Sequence, residues 1–504
     1  MKCIRTRPAI GICLFLFLLG TFGFSQEMPY RNLEADIQKA LADFQVPGLA
    51  IGIVKDGIPV YIKGFGIKNI HAKDPVDENT IFGIGSATKT FTAGLAAVLV
   101  QEGKIQWDDK VVQHLPDFQL YDPWVTKETT IRDLLSHRTG VAEANNLGLL
   151  FIGSNFSRDS VVAKARFLIP VIGFRTGWFY NNIMFITAGQ LMAGATGKSW
   201  DTNIREMIFE PLGMKASCTS IRSFKPSDNI VTPHWYEDGH PVPIPWGNMD
   251  TAGPAGAINS SVADLVKWLQ VHLNGGTLSG KTLWSADIQG EMFSPHSLLV
   301  NIPLGWQTQF STYGLGWFIS EYRGNSVVWH AGNCDGMSSI IGMLPQKKLG
   351  VVILQNTFPT RFELDLMLRI MDSYLGLPEK DWRPLGSPSP ISMSLPKYSQ
   401  APDEKPIAPE SAQQFVGTYS SELFGKVDVR FERGKMVLRF EAYPRADLHM
   451  KGENAFVADF GDGVNGMFGL ILGGRVAEVQ FVPDDGGQMK EIRIGKFGAF
   501  KKLN

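Results

Sequence analysis

The chain has 504 residues, of which 44% are hydrophobic and 19% are charged, and its formal net charge is −1. A chain of this length favours two domains over a single core. The near-zero charge argues against a nucleic acid or an anionic membrane as a partner, because such partners select for a basic surface.

The first 25 residues differ in composition from the rest of the chain. Three basic residues precede the uncharged segment 11–24, which is too short to span a bilayer comfortably and is typical of a signal peptide. We therefore predict a signal peptide over residues 1–25, cleavage before Gln26, and a periplasmic or secreted protein with no stable membrane span. Loss of three basic residues changes the net charge from −1 to −4. An uncleaved membrane anchor is the alternative.

The cysteines do not indicate a disulfide scaffold. Cys3 and Cys13 lie in the predicted signal peptide, which leaves Cys218 and Cys334, and the sequence leaves open whether these two pair. The sequence contains no Cys-x-x-Cys or His-Glu-x-x-His motif, so we predict neither a metal site nor a cofactor.

The first part of the mature chain predicts two helices and a hairpin. Apolar residues at four-residue spacing over 33–41 predict an amphipathic helix. Two β-rich runs, 48–54 and 58–62, flank an Asp-Gly turn and predict a hairpin. A helical pattern then runs over 86–99 and ends at Gly103.

Further along the chain, the sequence predicts one more helix and two more β-strands. The sequence Ser261-Val-Ala-Asp264 is a capping box that opens a helix. β-type runs return at 326–330 and 349–354. The predicted strands therefore lie near the start of the mature chain, at 48–62, and much later, at 326–354, and helices are predicted between them.

The C-terminal part begins with a change of composition. Seven prolines fall within residues 384–409, which predicts an extended linker over 384–410. Beyond it, many short strands separated by glycine-rich turns predict a small antiparallel barrel or sandwich. These strand-like runs are 427–431, 436–440, 476–481 and 492–494.

A serine and a lysine three residues apart form the first chemical motif. On a helix, Ser86 and Lys89 lie on one face about one turn apart. Serine is a poor nucleophile unless a base takes its proton, and a desolvated lysine can be neutral enough to do so. The pattern alone is weak, because it recurs at Ser394 and Lys397 in the proline-rich linker. The alternative is a helix-capping serine beside a solvated lysine.

Two further motifs follow in order, Tyr180-Asn-Asn182 and His330-Ala-Gly332. With them, the chain resembles the class C β-lactamase and D,D-peptidase family of serine hydrolases, which also includes D-aminopeptidases and esterases. That family is marked by Ser-x-x-Lys, then Tyr-x-Asn, then Lys-Thr-Gly or His-x-Gly. The resemblance covers roughly 33–375. It includes four family-like stretches between the motifs, at 134–140, 211–214, 254–260 and 313–317.

The resemblance implies a fold and a division into domains. We expect an α/β (α+β) β-lactamase/transpeptidase-like hydrolase domain over 26–383, in which an antiparallel sheet packs with an inserted helical subdomain around Ser86. No Gly-x-Ser-x-Gly elbow surrounds this serine, which disfavours an α/β-hydrolase. Residues 411–504 resemble the lipocalin-like β-domains fused to some peptidases of this family. Such a domain would cover the cleft, restrict substrate size or promote homo-oligomerisation.

The resemblance also implies roles for individual residues. Ser86 would attack a carbonyl, while Lys89 and Tyr180 share the proton transfers, and which of the two acts first stays open. Asn182 would hold Lys89 and a substrate amide. The N–H groups of Ser86 and Asn333 would form the oxyanion hole, with Asn333 placed as the residue after the third motif.

The third motif begins with His330 where its Lys-Thr-Gly form has a lysine, and this difference affects which substrates are expected. A lysine here would present a permanent cation to a substrate carboxylate, whereas neutral histidine offers only a hydrogen bond. Gly332 has no side chain, so a substrate backbone is expected to lie against the strand edge. The histidine at position 330 argues against an efficient β-lactamase and favours peptidase or esterase relatives.

Other residues have weaker claims to function. We expect a structural hydrogen-bonding role for His137, and no nucleophilic role for Cys334, since the three motifs supply a complete site without it. Trp178, Trp246 and Trp317 are candidates for the cleft lining or for core packing.

The predicted function is an exported serine hydrolase that cleaves an amide bond in peptides of the D-amino-acid-containing or peptidoglycan type. A carboxylesterase or weak β-lactamase using the same site is the alternative. A binding protein with a vestigial site is a third class, which the complete set of motifs disfavours. The expected partner is a small peptide or acyl substrate.

Overall fold

A computed structural model of the chain describes residues 29–141, 147–237, 239–300, 310–358, 362–378, 407–461, 464 and 466–503. The predicted signal peptide and most of the predicted linker, 384–406, lie outside the described residues. Two parts are distinguished below: the large domain, 29–378, and the barrel, 417–502. In the described ranges, no helix combines the length and the apolar character needed to cross a membrane.

An eight-stranded antiparallel sheet forms the centre of the large domain. Its strand order is β2-β1-β14-β13-β12-β11-β10-β9, so strands from the two ends of the region lie side by side, as predicted. The strands of the large domain are β1 Gly48–Lys55, β2 Ile58–Gly66, β3 Phe82–Gly83, β4 His234–Glu237, β5 His240–Pro243, β6 Asn259–Ser260, β7 Thr277–Leu278, β8 Lys281–Thr282, β9 Ser297–Leu299, β10 Ser311–Tyr313, β11 Phe318–Tyr322, β12 Asn325–Cys334, β13 Met337–Leu344, β14 Leu349–Gln355 and β15 Thr357–Phe358.

Helices cover the sheet and fill the region inserted between β2 and β9. The helices of the large domain are α1 Leu33–Asp43, α2 Thr88–Gln101, α3 Val111–His114, α4 Pro123–Glu128, α5 Ile131–Leu135, α6 Arg158–Lys164, α7 Asn182–Thr196, α8 Trp200–Ile204, α9 Glu210–Leu212, α10 Gly253–Gly256, α11 Val262–Leu273, α12 Ala286–Met292 and α13 Phe362–Tyr374. A π-helical segment, Arg205–Phe209, joins α8 to α9.

The sheet is buried on both faces, which explains the nearly continuous apolar runs of its central strands. Ile51 and Ile353 share one core with α1 and α13. Ala50 and Val352 point to the opposite core, where α11 lies. Gly52 gives α11 room to approach, since a Cβ there would lie 2.4 Å from the Val266 side chain. Strands covered on both sides lack the alternation of half-exposed strands.

Predicted helix starts are found close to where the sequence placed them. The pattern predicted a helix from Ser86; the structure places Ser86 in a 3₁₀ turn, Gly85–Ala87, and α2 begins at Thr88. The Ser261 hydroxyl caps α11 by accepting from the Asp264 N–H at 3.3 Å. Helix α2 is terminated at Gly103, whose φ of 69° is one that glycine adopts without strain.

The C-terminal strands close into an eight-stranded antiparallel barrel in which each strand pairs with the next and the last pairs with the first. This order is that of an up-and-down barrel, the architecture of lipocalins, so the prediction of a barrel is confirmed over the sandwich. The elements of this part are α14 Pro409–Ala412, β16 Gly417–Ser421, β17 Gly425–Glu432, β18 Lys435–Phe440, β19 Ala446–Met450, β20 Ala455–Asp459, α15 Gly466–Leu472, β21 Val476–Pro483, β22 Met489–Ile494 and β23 Gly498–Lys502.

The barrel docks on the helical part of the large domain. The Asn155 N–H donates to the Ala442 carbonyl at 2.7 Å, and Lys164 Nζ donates to the Glu422 carbonyl at 3.0 Å. The Phe156 ring meets Tyr443 edge to face, with centroids 5.8 Å apart. The barrel is therefore fixed beside the crevice rather than only tethered to the chain.

A buried carboxylate fixes the segment that leads to Tyr180. Asp133, with no exposed surface, accepts from Arg138 Nε at 2.5 Å and from Arg175 Nη2 at 2.7 Å. Burial alone would raise the pKa of this carboxyl, but the Arg175 hydrogen bond and the Arg138 charge lower it below its ordinary value. Arg175 has φ of 61°, and the ion pair holds it in that conformation five residues before Tyr180.

We expect Asp133→Asn to lower the free energy of unfolding by about 3 kcal/mol at pH 7, because it leaves two guanidinium groups without their buried counter-charge. The folded-state pKa lies below the unfolded value of about 3.9, so the stabilisation is complete above that pH and is lost as pH falls through the folded pKa. Thermal melts of both proteins at pH 7 and below pH 4 measure the effect. An equal difference in Tm at both pH values would contradict this account.

Candidate active site

Ser86 lies at the edge of a cavity of about 430 Å³ between the sheet and the helical region. Its side chain is partly exposed, whereas its neighbours Gly85 and Ala87 are buried. The 3₁₀ turn therefore presents one hydroxyl to the cavity from an otherwise buried segment.

Lys89 is fully buried and points back to Ser86. Its Nζ lies 3.2 Å from Ser86 Oγ, donates to Asn182 Oδ1 at 2.6 Å, and donates to the Ala255 carbonyl at 2.8 Å. A buried amine requires such partners because a lost hydrogen bond there cannot be replaced by water. The alternative of a solvated lysine is excluded by this burial.

Tyr180 approaches Ser86 from the other side. Its hydroxyl donates to Ser86 Oγ at 2.7 Å, and Lys89 Nζ lies 4.6 Å from the centre of its ring. The N-terminus of α7 fixes the position, because the Asn181 side chain caps the helix through the Met184 N–H at 3.2 Å. The three predicted catalytic residues therefore meet at one oxygen atom.

His330 lies on β12 and lines the same cavity. Nδ1 donates to the Ala331 carbonyl at 2.6 Å and Nε2 accepts from the Tyr313 hydroxyl at 3.0 Å. Burial, aided by the charge of Lys89, lowers the pKa of His330 to about 3. A neutral imidazole has one donor and one acceptor, and both are occupied here, so the ring presents a neutral face to the cavity.

Gly332 and Asn333 bring β12 against the turn that carries Ser86. A Cβ on Gly332 would lie 1.8 Å from the Ile84 carbonyl oxygen. The space at Gly332 is thus filled by the protein's own backbone, whereas the sequence analysis expected substrate to lie there. Gly85, with φ of 50°, lies against Asn333 in the same way, with a Cβ 2.7 Å from the Asn333 nitrogen. Asn333 lines the cavity and Gly332 does not.

Comparison with known proteins agrees with this geometry. A profile of the family described as Beta-lactamase matches residues 33–373, more than half of the chain. An unguisins hydrolase, ungD, of Aspergillus violaceofuscus is 31% identical over 373 residues, which cover 69% of this chain. The chain spans 65% of that relative's own length. Penicillin-binding protein 4 of Amycolatopsis lactamdurans is 26% identical over 374 residues, covering 70% of this chain and 92% of that protein.

The chain belongs to the beta-lactamase family. Members of this family are serine hydrolases. Among solved structures, the octameric penicillin-binding protein homologue from Pyrococcus abyssi matches with a TM-score of 0.61 and 25% identity, covering 94% of this chain and 99% of that one. That match extends beyond the hydrolase region into the barrel of this beta-lactamase-family protein.

Two ring side chains beside the site were not assigned to it from the sequence. The structural hydrogen-bonding role expected of His137 is present, since its Nδ1 accepts from the Asn181 N–H at 3.1 Å, but the sequence did not predict that its ring would lie 4.5 Å from that of Tyr180. Tyr313, fully buried, orients His330. Both lie in the family-like stretches quoted from the sequence, which was the available signal.

The barrel also contributes to the site of this beta-lactamase-family protein. Met467 and Ile471, both on α15, line the cavity together with Ser86. Sequence reasoning proposed that the C-terminal domain covers the cleft but named no residue. Because α15 lies far from Ser86 in the chain, no local sequence pattern predicts this contact.

The remaining candidates are not among the residues described as lining the cavity. Cys218 and Cys334 are free thiols, and burial raises the pKa of Cys334, which is the opposite of what a nucleophilic thiol needs. Trp317 is buried against His272 and Phe293, in the core.

The described lining of the Ser86 cavity includes no tryptophan. Trp178 nevertheless packs against two residues of that lining, Tyr180 and Phe318, with ring centroids 6.0 and 5.9 Å away.

We expect His330 to remain neutral between pH 5 and 8, because its pKa is lowered to about 3. The pH profiles of kcat/KM for the wild type and His330→Gln should then run parallel across this range, even if the variant is slower. An acidic limb near pH 6.5 in the wild type that disappears in His330→Gln would show that the ring titrates and would contradict the prediction.

Proposed function

We propose that this protein is an exported serine hydrolase that cleaves an amide bond through an acyl-enzyme on Ser86. The observation that carries the proposal is the convergence of the Tyr180 hydroxyl and the Lys89 amine on Ser86 Oγ, at 2.7 and 3.2 Å. Both groups donate to this oxygen in the structure, and either one, once deprotonated, is close enough to take the hydroxyl proton of a serine nucleophile.

The acylation step follows from these positions. Ser86 Oγ bonds to the substrate carbonyl carbon while its proton passes to the Tyr180–Lys89 pair. The carbonyl oxygen becomes an oxyanion, facing the N–H groups proposed for it on Ser86 and Asn333, each contributing on the order of 3 kcal/mol. The carbon–nitrogen bond then breaks, and the leaving amine takes the proton from the same pair.

The second half of the reaction reverses these roles. Water gives its proton to the Tyr180–Lys89 pair and bonds to the acyl carbon, and Ser86 Oγ leaves and recovers a proton. Asn182 and the Ala255 carbonyl keep Lys89 Nζ in place in both halves. The pair titrates as a coupled unit, so its pH dependence belongs to both side chains.

The proposed substrates are small peptides that contain D-amino acids, or that resemble peptidoglycan peptides. A relative described as an unguisins hydrolase supports hydrolysis, and one described as a penicillin-binding protein supports a site that accepts an amide-containing ligand, since penicillin contains amide groups. A neutral His330 in place of a lysine argues against an efficient β-lactamase, which needs a cation for the substrate's acid group.

A carboxylesterase is the second candidate. The cavity is lined largely by apolar side chains, which suits a neutral acyl group as well as a peptide. Hydrolysis of short acyl esters or a chromogenic cephalosporin, with no cleavage of D-amino-acid peptides, would favour this candidate.

Export is proposed from the N-terminal sequence, with the mature protein beginning at Gln26. We expect N-terminal sequencing of protein from the periplasm or medium to start at this residue. Retention of residue 1 in a membrane fraction would instead indicate an uncleaved anchor.

For the nucleophile, we expect intact-mass spectrometry after incubation with a fluorophosphonate, or separately with a penicillin, to show one adduct on the wild type. Ser86→Ala should give none, because the attacking oxygen is removed. A persistent penicillin adduct would indicate a penicillin-binding peptidase, and rapid loss a β-lactamase.

The matched control is Ser394→Ala, which removes the serine of the second Ser-x-x-Lys pattern. This variant should label like the wild type. An adduct that survives in Ser86→Ala, or the absence of labelling by either reagent in the wild type, would overturn the proposed function.

A further inference from the structure

Helix α15 of the barrel lies across one end of the active-site crevice. Met467 and Ile471, four residues apart on this seven-residue helix, line the cavity that contains Ser86. Side chains at this spacing share one face of a helix. One face of α15 is therefore a wall of the active site, although it belongs to the other domain.

The helix is attached to the sheet side of the crevice through Asp335. This residue lies in the turn between β12 and β13, three residues after Gly332, and is only 8% exposed. Its Oδ1 accepts from the Met467 N–H at 2.6 Å. Gly466 makes the approach possible, since a Cβ there would lie 2.2 Å from Asp335 Oδ1.

The helix is attached to the helical side through Phe468. This ring is buried, and a Cβ on Gly153 would lie 2.4 Å from it. The two residues before Gly153, Phe151 and Ile152, line the Ser86 cavity themselves. The helix thus bridges both halves of the large domain, so the position of its inward face is fixed from two sides.

The cavity wall formed in this way carries no positive charge. Phe151, Ile152, Met467 and Ile471 are apolar, and His330 is neutral. Among the described lining residues none is a lysine or arginine.

We infer that Met467 and Ile471 are specificity-determining residues, which select substrates that present an uncharged, apolar group to α15. The inference rests on the proposed function and names the class of substrate that the site accepts. A carboxylate placed against α15 would have to leave water for apolar side chains that carry no counter-charge, and that desolvation is unfavourable. The nearby cation, Lys89, lies at Ser86 and is already bound to Asn182 and the Ala255 carbonyl. Peptides whose acid groups are blocked or internal fit this wall better than peptides with a free carboxylate beside the scissile bond.

Two pairs of esters test the selectivity, one on each side of the scissile bond. 4-Nitrophenyl valerate and mono-4-nitrophenyl glutarate differ by a terminal methyl or carboxylate on the acyl group. 3-Methylphenyl acetate and 3-carboxyphenyl acetate make the same comparison on the leaving group. We expect the wild type to favour the neutral member of at least one pair by about tenfold or more in kcat/KM, equivalent to about 1.4 kcal/mol.

Cations introduced on the inward face should change this preference. In Met467→Lys and Ile471→Lys, we expect the neutral-to-charged ratio to fall by about tenfold, because an opposite charge now faces the carboxylate. Leu470→Lys is the matched control: Leu470 is also half-buried on α15 but does not line the cavity, so its ratio should stay at the wild-type value. The smaller changes Met467→Gln and Ile471→Thr replace any lysine variant that fails to fold, and should lower the same ratio.

Fluorophosphonate labelling of Ser86, measured on every variant, distinguishes a failure of this inference from a failure of the proposed function. Normal labelling with unchanged ratios in the inward-facing variants, or equal shifts in Leu470→Lys, would overturn this inference and leave the proposed function intact. No labelling and no turnover in the wild type would overturn the proposed function and this inference with it.

Discussion

The burial of Lys89 is the constraint on which the rest of the site depends. An amine with no access to water must direct its N–H groups to protein acceptors, and these come from the 3₁₀ turn before α2, from α7 and from α10. The acceptor from α10 is the Ala255 carbonyl. Its neighbour Pro254 is locked in turn, since its carbonyl accepts from the Thr92 hydroxyl at 2.6 Å. Three segments distant in the chain must therefore be correctly placed before Lys89 can lie beside Ser86.

The predicted catalytic side chains are polar, but the rings packed around them are buried and uncharged. His137 and His330 are both buried, and burial together with the charge of Lys89 lowers both pKa values. Burial also raises the pKa of Tyr313, which keeps that phenol protonated as the donor to His330. The rings around Lys89 are therefore uncharged, and in the proposed mechanism its attraction to negative charge developing at Ser86 would act in a low dielectric.

The barrel gives this family member a wall that the hydrolase fold alone does not supply. Its contacts are of two kinds: backbone and aromatic contacts beside α6, and the inward face of α15. The contacts beside α6 fix the position of the barrel, and the inward face of α15 then forms part of the cavity wall. A single buried carboxylate, Asp335, connects α15 to the strand that also carries His330. The docking of the barrel and the shape of the cavity are consequently coupled through the turn that follows β12.

The sequence by itself determined the parts that depend on local periodicity and on motifs. The amphipathic repeat of α1, the Asp-Gly hairpin, the Ser261 cap and the alternating strands of the barrel are set by neighbouring residues. Helical spacing placed Ser86 and Lys89 on one face, and the resemblance of the ordered motifs to a known family implied Tyr180 and Asn182.

Only the tertiary structure decided the contacts between segments far apart in the chain. The filling of the space beside Gly332 by Ile84, the occupation of both His330 nitrogens, and the approach of His137 to Tyr180 all depend on how elements pack. The same is true of α15, which is placed by a buried hydrogen bond across more than a hundred residues. Local spacing cannot encode such contacts, because burial and the distance between two elements are properties of the folded core and not of either segment alone.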